Sequence, residues 1–182
     1  MPFSEVISGD STIAYATAFS EIYEKALTEK CDDEIKFIRT ILLEIERAAI
    51  HIGDLGAIAG DVGYYPLHGL CSTDRGVPLG VMEELTGSRF GKGSVWPSEI
   101  RLNRKLTVDA LGGIVKRLKT AFKRVEAQFL RAADSSTIRE RLQGCGVVSK
   151  IQVNRNSFLG MAARCTGMIQ DLRISNPIYE KF

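Results

Sequence analysis

The feature that most constrains the fold is a run of apolar residues from about residue 34 to residue 60. These residues recur at three- and four-residue steps, the spacing that brings side chains together on an α-helix. The run comprises Phe37, Ile38, Ile41, Leu42, Ile45, Ala48, Ala49, Ile52 and Leu55. Because these residues cover most of the helix circumference, the pattern predicts a helix buried on several sides, with other helices packed around it.

Further helix signals surround this run, whereas strand signals are scarce. Helices are predicted over residues 12–27, 73–86, 108–132, 136–143 and 149–158. Gly63-Tyr64-Tyr65-Pro66 is predicted to end the central helix, and a loop is predicted to follow through Cys71. The glycine-rich residues 87–97 are predicted to be irregular. The chain is therefore predicted to be mainly α. We expect a single domain over residues 1–182, a helical bundle with two long core helices and irregular Gly-rich loops.

The composition argues against several classes of function. The net charge is only +2, and the basic run at residues 116–124 is best explained as the solvated face of a helix, so nucleic acid is not an expected partner. The four cysteines lie far apart without a C-x-x-C pair, which argues against zinc and is typical of reduced, cytosolic thiols. No apolar stretch is long and uncharged enough to span a membrane.

Polar residues form a stripe along the predicted central helix. Glu44, Arg47, His51, Asp54 and Asp61 follow one another at steps of three, four, three and seven, which keeps them on one narrow face. If that face is buried, the chain of carboxylate, guanidinium and imidazole is suitable for a proton relay, with Asp61 and His51 as its candidate catalytic members. The alternative is that the stripe is the solvated face of the helix, or that it braces nearby loops without chemistry.

A short polar segment, Ser8-Gly9-Asp10-Ser11, precedes the first predicted helix. It does not match the G-x-S-x-G elbow of hydrolases, and no Gly-Lys-Ser/Thr follows it as in a phosphate-binding loop. Ser11 or Thr12 can accept a free N–H of the first helical turn. From its residues alone, the segment is therefore predicted to be a helix N-terminus.

Several motifs, taken together, resemble those of one protein superfamily. The central helix carries Arg39, Leu43-Glu44-x-x-Arg47, His51 and Asp61-x-Gly63. Later blocks are Leu85-Thr86-Gly87-x-Arg89, Gly146-Val147-Val148, Ala163-Arg164-Cys165-Thr166-Gly167, Asp171-Leu172-Arg173, Pro177 and Tyr179. In this order they resemble the large subunit of [NiFe]-hydrogenases. They resemble even more closely its membrane-complex relatives, the formate hydrogenlyase-type hydrogenases and the quinone-site subunit of NADH:quinone oxidoreductase, complex I.

The resemblance gives the polar segment a further meaning. An alignment without gaps places Ser8 and Ser11 where hydrogenases have the two cysteines of Cys-Gly-x-Cys, ligands of the nickel site. Serine hydroxyls are poor ligands for soft nickel–iron chemistry, so Ser8 and Ser11 are vacated ligand positions and no [NiFe] centre is expected. In the complex I branch the aspartate that matches Asp61 helps to couple quinone protonation.

The resemblance also implies a role for the chain as a whole. We expect a fragment or degenerate homologue of the large subunit, inactive alone and binding no cofactor itself. Its parent complex would pass electrons from an iron–sulfur small subunit to quinone or protons, peripherally on the membrane at its cytoplasmic side, with membrane subunits as further partners. Residues expected to brace the former cavity are Glu44, Arg47, Arg164, Asp171 and Arg173.

Two other interpretations remain open from the sequence. One is a non-catalytic scaffold or interaction module that binds partner subunits through apolar helix faces. The other is a purely structural helical domain whose polar stripe is solvated. Apolar faces left uncovered would favour self-association of the isolated chain.

Overall fold

The computed structural model describes residues 3–175 and is mainly α-helical, as predicted. The matched residues Pro177 and Tyr179 lie outside the described part. After a 3-10 turn at Ser4–Val6, the helices are α1 (Thr12–Ala26), α2 (Asp33–Asp61), α3 (Tyr65–Asp74), α4 (Gly76–Thr86), α5 (Val108–Asp134), α6 (Ser136–Leu142), α7 (Lys150–Arg155), α8 (Gly160–Arg164) and α9 (Leu172–Ser175). Two short strands, β1 (Val95–Trp96) and β2 (Glu99–Ile100), pair antiparallel.

The long helix α2 is the central element of the first 138 residues. It packs against α1, α3 and α4. One apolar cluster surrounds its first half and contains Ile13, Ala16, Leu42, Ile45, Val81, Met82, Leu85, Val95 and Ile114. A second surrounds its end and contains Ile52, Ala59, Leu67, Cys71, Val125 and Ala132. Every residue of the predicted apolar run on α2 is buried or half-buried, so the prediction of a central helix is confirmed.

The loop predicted to follow Pro66 through Cys71 is wrong, because these residues belong to α3. Pro66 lies in the first turn of this helix, where a missing N–H breaks no helical hydrogen bond and the fixed φ of proline suits the helix. Helix α3 packs closely on α2: a Cβ atom added to Gly56 would lie 2.7 Å from the Cβ atom of Cys71. The small residue on α2 therefore allows the two backbones to approach.

Residues 87–97, which follow α4, are irregular as predicted, except for the short strand β1 at Val95–Trp96. Gly87 ends α4 in the left-handed conformation at φ +80°. Gly91 has φ +69° and lies against the side chain of Ile13, so a side chain there would be strained and would collide with the core. This segment therefore lies tightly against the start of α1.

Helix α5 is the second long helix, and its N-terminus is capped by the Thr107 hydroxyl, which accepts the Ala110 N–H at 3.2 Å. Arg124 attaches it to α3, donating to both oxygens of the buried Asp74 carboxylate at 3.0 and 2.5 Å. Removing Arg124 would leave a buried charge without this partner, so the pair fixes where α5 docks.

The chain divides into two compact units, residues 1–138 and 139–182, while the expectation of a single domain stays a prediction. In the second unit α7 begins with a capping box: the Ser149 hydroxyl accepts the Gln152 N–H, and the Gln152 side chain accepts the Ser149 N–H. Within the described residues, no helix combines the length and hydrophobicity that crossing a membrane requires.

Candidate functional site

The polar segment Ser8–Ser11 leads directly into α1, but its serines do not cap the helix. Ser11 occupies the N-cap position without a side-chain hydrogen bond, and the buried Thr12 hydroxyl has no partner within residues 3–175. The Glu46 carboxylate of α2 caps α1 instead, accepting the Ile13 N–H at 2.6 Å and the Ala14 N–H at 3.0 Å. The predicted position of the helix start is therefore correct, whereas the predicted capping group is wrong.

Glu46 is an unusual carboxyl group because its side chain lies inside the core. Glu46 is only 6% exposed. Burial raises its pKa to about 7, and the nearby Asp10 charge acts in the same direction. The amides of Ile13 and Ala14 and the charge of Arg47 act in the opposite direction but do not outweigh burial. This group therefore changes its protonation state near neutral pH.

Asp10, the carboxylate of the polar segment itself, is held by an arginine from another part of the chain. Arg75, between α3 and α4, lies 3.0 Å from the Asp10 carboxylate oxygen, and both side chains are partly exposed. A small, partly open pocket lies beside this pair and is lined by Asp10, Ile45, Glu46, Ala49, Ile50, Arg75, Pro78, Leu79, Met82, Arg89 and Phe90. The polar groups Glu46, Arg75 and Arg89 therefore share the pocket with apolar walls.

A third contact fixes the chain just before the segment. The Glu5 carboxylate accepts the Gly93 N–H at 2.8 Å. Glu5, Asp10 and Glu46 together attach residues 4–14 to the glycine-rich segment, to Arg75 and to α2. The segment that resembles a metal-ligand loop is thus held by carboxylates and backbone amides.

A buried ion pair crosses from the C-terminal end of α1 to α2. Arg39 donates to the Glu24 carboxylate at 2.7 and 3.3 Å and to the Trp96 carbonyl at 2.6 Å, while Glu24 also accepts the Ser98 N–H at 2.7 Å. Burial raises the pKa of Glu24, but Arg39 and the Ser98 amide outweigh it and hold that pKa below its usual range. The pair therefore joins α1, α2 and the strand pair through one charged contact.

The polar stripe of α2 is only partly covered. Glu44 and Arg47 form a half-exposed ion pair at 3.3 Å, His51 is half-buried, and Asp54 and Asp61 are exposed. This arrangement favours a solvated face over a buried chain of charges. The proton relay through Asp61 and His51 stays a prediction.

The second unit brings its three predicted polar residues together. Arg173 donates to Asp171 at 2.6 and 2.9 Å, and Arg164 lies 3.5 Å from the same carboxylate. The Arg173 hydrogen bond, aided by its backbone N–H, holds the pKa of Asp171 well below its usual range. The three residues form a local network, while their expected part in bracing a cavity stays a prediction.

Glu46 was not identified from the sequence, although a signal was present. Glu46 follows Ile45 directly and lies four residues after Leu42 and three before Ala49, so it belongs to the buried face of α2. A carboxylate within an apolar face must find donors on a neighbouring element. That reasoning could have indicated a buried acceptor facing α1.

The resemblance to hydrogenases would imply a nickel–iron centre, and the donor groups of this chain do not fit such a centre. The matching positions carry the hydroxyls of Ser8 and Ser11, which are hard neutral donors. The nearby carboxylates of Asp10 and Glu46 are engaged by Arg75 and by backbone amides. Within residues 3–175, no three His, Cys, Asp or Glu side chains are grouped to hold a metal ion.

Comparisons with known proteins agree with these motifs. An NADH-quinone oxidoreductase subunit of Chlorobium chlorochromatii is 26% identical over 183 residues, covering 97% of this chain and 44% of that protein. The corresponding protein of Methylacidiphilum infernorum is 29% identical over 192 residues, covering 100% of this chain and 44% of that protein. The alpha subunit of a membrane-bound hydrogenase from Pyrococcus furiosus is 25% identical over 183 residues, covering 98% of this chain and 41% of that protein.

These matches confirm the resemblance to the complex I and hydrogenase large subunits. The chain spans less than half the length of these relatives. A family model described as "Respiratory-chain NADH dehydrogenase, 49 Kd subunit" matches residues 61–182, more than half of the chain. The chain therefore belongs to the family of the respiratory-chain NADH dehydrogenase 49 kDa subunit.

Proposed function

We propose that this chain is the helical frame of a hydrogenase/NADH:quinone oxidoreductase-type large subunit in which the metal-ligand loop has become purely structural. Its parent complex passes electrons from an iron–sulfur subunit to quinone or to protons, and the isolated chain is inactive and holds no redox group. The parent assembly lies peripherally on the cytoplasmic side of a membrane. The names of the relatives, which are subunits of NADH-quinone oxidoreductases and of a membrane-bound hydrogenase, support this assignment.

The observation that carries the proposal is the way the segment before α1 is held. Glu46 accepts two α1 amides, Arg75 pairs with Asp10, and Gly93 donates to Glu5. Each contact uses a carboxylate oxygen, so none of the three carboxylates is free of protein donors. Protein groups therefore position the segment, with hydroxyls where thiolate ligands would be needed.

The proposal is tested by the nickel content of the chain produced in nickel-supplemented medium. We expect nickel far below one ion per chain and no hydrogen evolution with a reduced dye. The Ser8→Cys/Ser11→Cys variant is the matched control, because two thiolates three residues apart should increase nickel uptake. Stoichiometric nickel in the native chain, or hydrogen evolution by it, would overturn the proposal.

A stand-alone interaction module is the second candidate, favoured by the large apolar side chains exposed on α5, such as Phe122 and Phe129. Such a module would be a monodisperse monomer that binds a specific partner. Light scattering separates the candidates, because a frame that lacks its covering elements would associate with itself as its concentration rises.

A further inference from the structure

Helix α5 leaves a regular apolar row uncovered. Val108, Val115, Phe122 and Phe129 follow one another at intervals of seven residues and are 86%, 46%, 41% and 42% exposed. Seven residues correspond to two helical turns, so the four side chains lie along one line of the helix. We call these four residues the α5 seam.

The seam borders the face by which α5 docks into its own unit. On one side lie the buried residues Ile114, Ala121 and Val125, which belong to the core. At the far edge of that docked face, Arg117 pairs with Glu84 and Arg124 with Asp74. The docked face is therefore held by packing and by ion pairs, whereas the side chains of the seam beside it remain largely exposed to solvent.

A row of lysines lies on the other side of the seam, away from the core. This row consists of Lys116, Lys119 and Lys123. Because each residue turns the helix by 100°, the three lysines lie 40–100° around the helix from the seam. The buried residues lie on the opposite side of the seam. All three lysines are exposed, and none forms an ion pair within residues 3–175. Glu126 also lies on this side. The strip is therefore apolar along one edge and mostly basic along the other.

The seven-residue interval indicates what covers the seam. Side chains repeated every seven residues insert between those of a second helix, whereas a lipid surface needs apolar area and no particular register. The seam is narrow because the adjoining apolar face is buried in the core. The exposed Leu130 widens it only near the C-terminal end of α5, which leaves little area for a membrane. The geometry thus favours a helix over a bilayer.

The lysine row further restricts the identity of that helix. It spans residues 116–123 near the middle of α5, so a second copy would bring lysines opposite lysines in either a parallel or an antiparallel arrangement. Juxtaposed like charges disfavour such a pairing. A helix that carries carboxylates beside its apolar row would instead face the lysines favourably.

We propose that the α5 seam and the lysine row form a docking site for an amphipathic helix of a partner protein, with acidic residues flanking its own apolar heptad positions. This inference rests on the proposed function, in which the chain works only as part of a larger assembly. The partner helix lies along α5, its apolar side chains between those of the seam and its carboxylates against Lys116, Lys119 and Lys123.

The test measures fluorescence anisotropy of labelled helical peptides mixed with the full chain. The probe peptide has leucine at its a and d heptad positions and glutamate at e and g, and a second peptide has lysine at e and g. Like charges at these positions keep each peptide from pairing with itself. At low salt we expect the glutamate peptide to bind about tenfold more tightly than the lysine peptide, a preference that salt reduces.

Two sets of variants assign the binding to the docking site. Phe122→Ser or Val115→Ser should weaken binding about tenfold, whereas Ala127→Ser, an exposed change elsewhere on α5, should not. The Lys116→Glu/Lys119→Glu/Lys123→Glu variant should reverse the peptide preference. The Lys25→Glu/Lys30→Glu/Lys92→Glu variant, which has the same net charge, should keep it. Thermal unfolding of each variant identifies any that fails to fold.

Several outcomes would overturn the inference. The first two are equal binding of both peptides and binding that the seam variants do not change. The third is binding to phosphatidylcholine/phosphatidylglycerol vesicles without binding of the glutamate peptide. The fourth is self-association of the chain that Phe122→Ser abolishes. Nickel content, measured on the same samples, tests the proposed function separately. A chain that binds no peptide and no nickel contradicts the docking site alone.

Discussion

Replacing Arg39 by methionine is expected to lower the free energy of unfolding by about 3–5 kcal/mol. Arg39 is 2% exposed, and its guanidinium contacts both Glu24 oxygens and the Trp96 carbonyl. Methionine fills much of the same volume but leaves a buried carboxylate without its counter-charge. The loss is measured by denaturant unfolding at neutral pH, followed by circular dichroism.

Two further variants separate the loss of charge pairing from a general effect. Lys36→Met removes an exposed ion pair with Asp33 on the same helix and should cost less than about 1 kcal/mol. The Glu24→Gln/Arg39→Met double variant should recover part of the loss, because it removes the unpaired charge and keeps an acceptor for the Ser98 amide. A loss in Arg39→Met as small as that in Lys36→Met would contradict the buried ion pair.

The second large effect concerns Glu46 and pH. The pKa of Glu46 is about 7 in the folded chain, whereas its ordinary value is 4.5. Between these two pH values the folded state therefore retains a proton that the unfolded state releases. This contribution to stability is complete below about pH 4.5, falls as pH rises to about 7, and then levels off. Its full extent is about 3 kcal/mol.

The contribution is isolated by comparing the native chain with Glu46→Gln across this pH range. The glutamine variant cannot titrate, so its stability relative to the native chain should rise by about 3 kcal/mol between pH 4.5 and pH 7.5. Met82→Leu, a change of similar volume in the same pocket, should show a pH-independent difference. A flat difference curve for Glu46→Gln would contradict a raised pKa.

The long helices could be predicted because their signal is local. The apolar run on α2 and the amphipathic pattern of α5 each contain many residues in a fixed period, and both helices form within two residues of the predicted bounds. Helix α3 was not predicted because of Pro66. A proline inside a helix breaks it, whereas a proline in the first turn favours the start of a helix, and Pro66 lies in the first turn. The local sequence does not distinguish these positions.

The candidate site was less predictable because its decisive contacts are distant in sequence. The motifs include Arg39 and the Ser8–Ser11 segment, but the partner of Arg39 lies 15 residues away, and the group that caps α1 lies 33 residues away from Ile13. A hydroxyl next to the helix start was the obvious cap, yet the buried Glu46 carboxylate accepts both amides. Only the packing of α1 against α2 determines which acceptor reaches them.

The central claim is that the segment before α1 is held by this chain's own carboxylates and needs no metal. Amide hydrogen exchange of Ile13 and Ala14, measured at neutral pH in the presence of EDTA and again with added nickel, tests it most directly. We expect each amide to exchange slowly and at the same rate with EDTA as with nickel, because the Glu46 carboxylate accepts a hydrogen bond from each of them without a metal. Exchange at the rate of an unprotected amide in EDTA, with protection appearing only when nickel is added, would contradict it.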